Sequence, residues 1–155
     1  MKALTLKIVF PLTVISFAVF TKWWYALPVD ARDTLFWGFP FAYVGEGWHT
    51  SMSLQFFLLE LFIDLFIYFL CWCTIVFCLN ILAPKIKPHK VLTQLLWLLA
   101  IVTIAGYAII IRSSDSVFHL RRPYDMEIMD SGCKFIWQST KRPEYYQYHP
   151  DPNKL

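Results

Sequence analysis

Leu65-Phe-Ile-Tyr-Phe-Leu-Cys-Trp-Cys-Thr-Ile-Val-Phe-Cys-Leu-Asn-Ile-Leu-Ala-Pro84 is the stretch on which the reading of the fold turns. It holds about 20 residues without a charge, and a helix crossing a ~30 Å hydrocarbon core needs about that many at ~1.5 Å each. Asp64 bounds it on one side and Lys85 on the other. A second uncharged run, Val91 to Ile111, is about as long and meets the same requirement. A third, Ile8 to Thr21, is shorter, but Lys7 and Lys22 can snorkel outward while Trp23, Trp24 and Tyr25 extend it as an interfacial belt.

The spacing therefore predicts an all-α integral membrane protein with three transmembrane helices, at about 4–25, 53–82 and 91–111, in one domain over 1–111. Pro11 is expected to kink the first. Met1 to Phe20 also has the charge and apolar run of a secretory signal, but Phe20, Thr21, Lys22 and two tryptophans replace the small residues a cleavage site requires. The run is expected to stay as an anchor.

Composition agrees with a membrane class. The chain has 155 residues, 57% hydrophobic and 16% charged. Soluble domains average about 45–50% apolar and about 25% charged, and a domain this small leaves roughly 30% of its surface exposed. Such a sequence excludes an ordinary soluble domain and a disordered chain. Its formal charge of +3 is too small for nucleic-acid binding.

Orientation follows from the short loops. Lys2 and Lys7 precede the first helix, and Lys85, Lys87 and Lys90 mark the inner loop 83–90. Lys22 and Arg32, in contrast, are diluted by Asp30, Asp33 and Glu46. The positive-inside rule places the N-terminus in the cytoplasm and the C-terminal tail, 112–155, outside. Arg112, Arg121 and Arg122 run mildly against that assignment.

The outer loop 28–52 is aromatic and broken by Gly38, Pro40, Gly45 and Gly47. Trp23 and Trp24, with Phe36, Trp37, Phe39, Phe41 and Trp48, are candidates for docking lipid or a partner. The tail is expected to be irregular and to rest on this loop. It contains strand-like runs at Ser116–Leu120, Glu127–Met129 and Cys133–Trp137, separated by Arg-Pro and Ser-Gly turn signals.

Glu60 and Asp64 are four apart and share a helix face. Ionisable groups in a membrane helix default to a functional reading such as an ion path. Measured outward from Leu82, however, Asp64 is about 27 Å and Glu60 about 33 Å away, near the outer interface. Lys22 and Arg112 close the other two helices at that level. An ionic cluster of Glu60, Asp64, Lys22 and Arg112 at the outer rim is the expectation.

Cys71, Cys73 and Cys78 read as packing residues, and Cys133 lacks an outer disulfide partner. His49, His89, His119 and His149 have no metal-ligand spacing, although His49 and His119 fall on one side with Asp115 and Glu46. No phosphate loop, zinc-protease or nucleophile-elbow motif occurs, and no catalytic residue, metal or cofactor is assigned. The expected function is a non-catalytic accessory or interaction subunit of a larger membrane complex, in contact with membrane lipid. The alternatives are an oligomeric ion- or proton-translocating subunit with Glu60 and Asp64 on its path, and a lipid-acting enzyme using His49 or His119.

Overall fold

The computed structural model describes residues 5–28, 33–50, 52–82, 89–140, 142, 143 and 148. Among them, a π-helical turn, Thr5–Val9, leads into α1, Phe10–Val19. The chain then forms β1 (Phe20–Pro28), β2 (Thr34–Trp37), β3 (Val44–Glu46) and β4 (Leu54–Phe57). Two long helices follow, α2 (Leu58–Leu82) and α3 (Lys90–Ser113), and then β5 (Ser116–His119) and β6 (Met126–Phe135).

This corrects the all-α expectation. The fold is mixed α/β, and among the described residues it has a six-stranded mixed sheet and three helices, of which only α2 and α3 are long and apolar enough to cross a membrane. The first helix ends at Val19 rather than near residue 25. Phe20 to Pro28 form a strand because aromatic and β-branched residues suit a pleated surface and β6 pairs along the whole segment. The tail is not irregular either, since β5 and β6 are the two edges of the sheet. Ser131-Gly132 does not turn the chain but lies inside β6, where the Trp23 indole nitrogen sits 2.8 Å from where a Cβ would be. The inner loop expected at 83–90 falls outside the described residues as far as 88.

Strand order is β5-β4-β3-β2-β1-β6. The first four strands make an antiparallel meander, β6 adds antiparallel to β1, and β5 adds parallel to β4 after the helical hairpin. A flat six-stranded sheet would hold its edges about 24 Å apart at about 4.8 Å per strand, yet the short link 120–125 joins β5 to β6. The link crosses one face instead of circling the sheet. There Tyr124 packs its ring against Phe36, Phe57 and Trp48. Ala26, Phe36, Ala42 and Phe57 form the core of that face, with Trp24, Tyr124 and Met126 packed on it. Gly45 opposes Phe36, and a Cβ there would enter the Phe36 ring.

The helices form an open layer. α1 touches both α2 and α3, while the two long helices scarcely touch each other. Phe10 stacks on Trp97, Phe17 meets Tyr68 edge-on, and Trp72 Nε1 donates to Ser16 Oγ at 2.8 Å. Val9, Pro11, Thr13 and Ala18 are buried in this seam.

Candidate functional site

Two places bring chemistry-bearing side chains together. The first is the junction between α2 and the β2–β3 loop. Gly38 takes φ 147°, and a Cβ on it would run into the Phe41 carbonyl, so only glycine fits. The loop continues through a cis Phe39–Pro40 bond and presents the Phe41 N–H inward. Asp64, wholly buried, accepts that N–H at 3.0 Å through Oδ1 and at 3.3 Å through Oδ2. Trp24 Nε1 secures the other side of the loop by donating to the Gly38 carbonyl at 2.9 Å. A buried carboxylate that accepts backbone N–H groups offsets its desolvation without a cation.

One turn earlier, Glu60 Oε1 accepts the Arg122 backbone N–H at 3.5 Å, while Oε2 is buried with no hydrogen-bond partner among the described residues. Lys22 lies over the Trp24 ring, 3.6 Å from its centroid. Arg112 is exposed near the end of α3. The four groups of the expected ionic cluster thus each have other surroundings: a loop N–H, a link N–H, an indole face and solvent. Arg122 meets Glu60 through its backbone N–H, while its guanidinium Nε donates to the Tyr124 carbonyl at 3.1 Å, and nothing in its spacing distinguishes it from Arg121.

The second place is a recess of about 200 Å³ on the face that Tyr124 covers. Gly47, Trp48, His49, Gln55, His119 and Tyr124 line it. It brings His49 and His119 to one cavity. Most of its polar groups are satisfied internally: Tyr124 OH donates to Gln55 Oε1, Gln55 Nε2 to the Glu46 carbonyl, and Trp48 Nε1 to Thr34 Oγ1. Burial pushes the Tyr124 hydroxyl pKa up. The His119 ring stacks on Phe57, and Asp115, the nearby carboxylate, accepts from Thr50 Oγ1 at 3.3 Å. No three His, Cys, Asp or Glu side chains are grouped to hold a metal among the described residues.

The expected docking aromatics divide by burial. Phe36 is fully buried, Trp23, Trp24 and Trp37 are half-buried, and Phe39, Phe41 and Trp48 are exposed. Phe135, Ile136 and Trp137 of the tail are exposed as well. Cys133 is a free thiol on β6. Comparison with known protein families, curated proteins and solved structures finds no match for the chain.

Proposed function

We propose that this chain is a membrane-inserted accessory subunit that displays a small β-sheet on one side of the bilayer for interaction with a larger membrane complex. One observation carries the reading. In their most apolar windows α2 and α3 reach mean hydropathies of 2.4 and 2.2, with 0% and 6% of the window buried. A soluble domain rarely leaves contiguous apolar surface of that extent in water. Lipid and partner helices are the environments in which such a surface is stable.

The basic residues Lys85 and Lys87 between the two helices, with Lys90 at the start of α3, support a cytoplasmic location for that end of the helices, with the sheet on the extracytoplasmic side. α1 runs beside α3 with Phe10 against Trp97, which supports a cytoplasmic N-terminus. Asp64 and Glu60 accept backbone N–H groups at the sheet end of α2, which favours a structural role for them over an ion path. For a lipid-acting enzyme, His49 or His119 would need a carboxylate to orient it, and the Asp115 carboxylate accepts a hydrogen bond from Thr50 Oγ1 at 3.3 Å.

Alkaline extraction of membranes followed by purification in mild detergent tests the proposal. The chain should stay in the membrane pellet and elute with a stoichiometric membrane-protein partner. Release into the alkaline supernatant overturns the membrane assignment. Elution as a lone chain or closed homo-oligomer overturns the accessory role.

A further inference from the structure

The sheet does not stand clear of the helices. Tyr68 OH donates to the Phe20 carbonyl at 3.1 Å, Tyr107 OH to the Ala18 carbonyl at 3.5 Å, and the Ile136 N–H to the Val19 carbonyl at 2.9 Å. These three bonds set the start of β1, the end of β6 and one point on each long helix at a common level. Below it, α2 runs from Tyr68 to Leu82 and α3 from Tyr107 back to Lys90. At ~1.5 Å per residue those lengths are about 21 Å and about 26 Å, and Leu65, the first residue after the last carboxylate of α2, lies only about 4.5 Å above the level. Below the level α3 thus covers most of a ~30 Å hydrocarbon core and the described part of α2 about two thirds of it.

Aromatic side chains gather at this level. Tyr68, Phe39, Phe20, Phe135 and Trp137 form a continuous series of ring contacts, with neighbouring centroids 6.4, 5.4, 5.8 and 4.9 Å apart. Three of its members are exposed: Phe39 at 37%, Phe135 at 40% and Trp137 at 70%. Ile136, between Phe135 and Trp137 in the chain, and Phe41, two residues after Phe39, are exposed as well. Aromatic rings at the boundary between a spanning segment and water favour the headgroup level of a bilayer, where an apolar body and a polar edge are both accommodated.

We propose that this ledge, Phe39 and Phe41 with Phe135, Ile136 and Trp137, seats the sheet directly in the lipid interface. The sheet is then a membrane-lying module rather than one held off on a stalk. The occupant of the ledge is lipid, because the ledge is continuous with the exposed helices and lies where their uncharged lengths place the bilayer surface. The inference rests on the membrane reading above, and its test separates the two.

Single cysteines replace Trp137, Leu99 and Glu127 in a chain whose native cysteines are changed to Ala, and each carries an environment-sensitive dye. The labelled proteins are reconstituted in phosphatidylcholine vesicles and exposed to aqueous iodide. Leu99→Cys, on α3, should be protected, and Glu127→Cys, at the far end of β6, freely quenched. Trp137→Cys should be quenched at least about 3-fold less than Glu127→Cys. Quenching at 137 equal to that at 127, with 99 protected, overturns the ledge and leaves the membrane reading standing. Quenching at all three overturns both. Wild-type cysteines can also be kept: Trp137→Phe should lower the share of tryptophan emission quenched by lipids brominated near the headgroup, and an unchanged share overturns the ledge.

Discussion

Phe57 and Leu58 are neighbours in the chain, the last residue of β4 and the first of α2, and the molecule changes character between them. On the sheet side Phe57 is fully buried among Ala26, Phe36 and Ala42. On the helix side, Asp64 is the single buried residue of all α2, although phenylalanine, leucine and isoleucine dominate that helix. The sheet uses its aromatic residues against one another, and the helices present theirs outward. Hydrophobicity of similar degree thus has two meanings, one as core and one as a surface for an apolar environment. What separates them is whether the neighbouring segment returns to cover the side chain.

The largest effects that probe this contrast belong to the sheet. Phe57→Ala removes a fully buried ring from beneath Tyr124 and should destabilise by about 3–5 kcal/mol. Thermal unfolding in mild detergent, followed by near-ultraviolet circular dichroism of the aromatic cluster, measures it. A loss below 1 kcal/mol, on the scale of surface changes that stay within about 0.5 kcal/mol, would mean that the sheet face is not a core.

Asp64 comes next, as the residue that joins the two regions. Asp64→Ala leaves the Phe41 N–H buried without its acceptor, a change that typically costs about 1–3 kcal/mol. Asp64→Asn keeps an acceptor oxygen and should recover much of that loss in the same assay. Equal loss in both variants would show that the negative charge, rather than the hydrogen bond, matters at this position.

How far these two regions can be read from the sequence follows the same division. The uncharged runs of α2 and α3 identify both helices because a long apolar segment has few other stable environments. β1 is missed for a different reason. Tyr25 and Leu35 are buried on one side of the sheet and Trp24 and Phe36 pack on the other, so Phe20 to Pro28 shows no apolar–polar alternation. Continuing without a break from an apolar helix, the segment reads as an interfacial belt. The partner that makes it a strand, β6, lies about a hundred residues later, and a long-range pairing leaves no local trace. The carboxylates could be placed at the end of α2 away from Leu82 but not matched to partners, since Phe41 and Arg122 meet them through backbone N–H groups that every residue carries. The tail strands leave a partial trace in composition, but the Ser131-Gly132 turn signal splits β6 in two and the tail reads as irregular. Their place at the two sheet edges leaves no trace, because it depends on the link crossing over Tyr124.

A smaller effect marks the outer side of the sheet and appears only at alkaline pH. Burial, together with the 2.7 Å hydrogen bond to Asp33, pushes the Tyr25 hydroxyl pKa up to about 12. In the unfolded chain a tyrosine loses its proton near pH 10. The folded state holds the proton more tightly, so its stabilising contribution is complete below pH 10 and declines as pH rises through 10 to about 12. Tyr25→Phe should flatten that part of the stability profile and leave the profile below pH 9 parallel to wild type. An unchanged alkaline decline would assign it to other groups.

The smallest expected effect is on the helices. Leu99 lies on α3 and is 50% exposed, so Leu99→Ala opens no cavity and should shift stability in detergent by no more than about 0.5 kcal/mol. The comparison with Phe57→Ala is informative because both changes truncate a large apolar side chain in a regular element. Their difference therefore measures covering by the rest of the chain and little else. If Leu99→Ala is as damaging as Phe57→Ala in the purified chain, α3 packs on itself or on a second copy, and the open helical layer is wrong. If the variant is silent alone but lowers recovery of a copurified membrane partner, the missing cover for that helix is the partner, and the helical side of the molecule becomes a core only in the assembly.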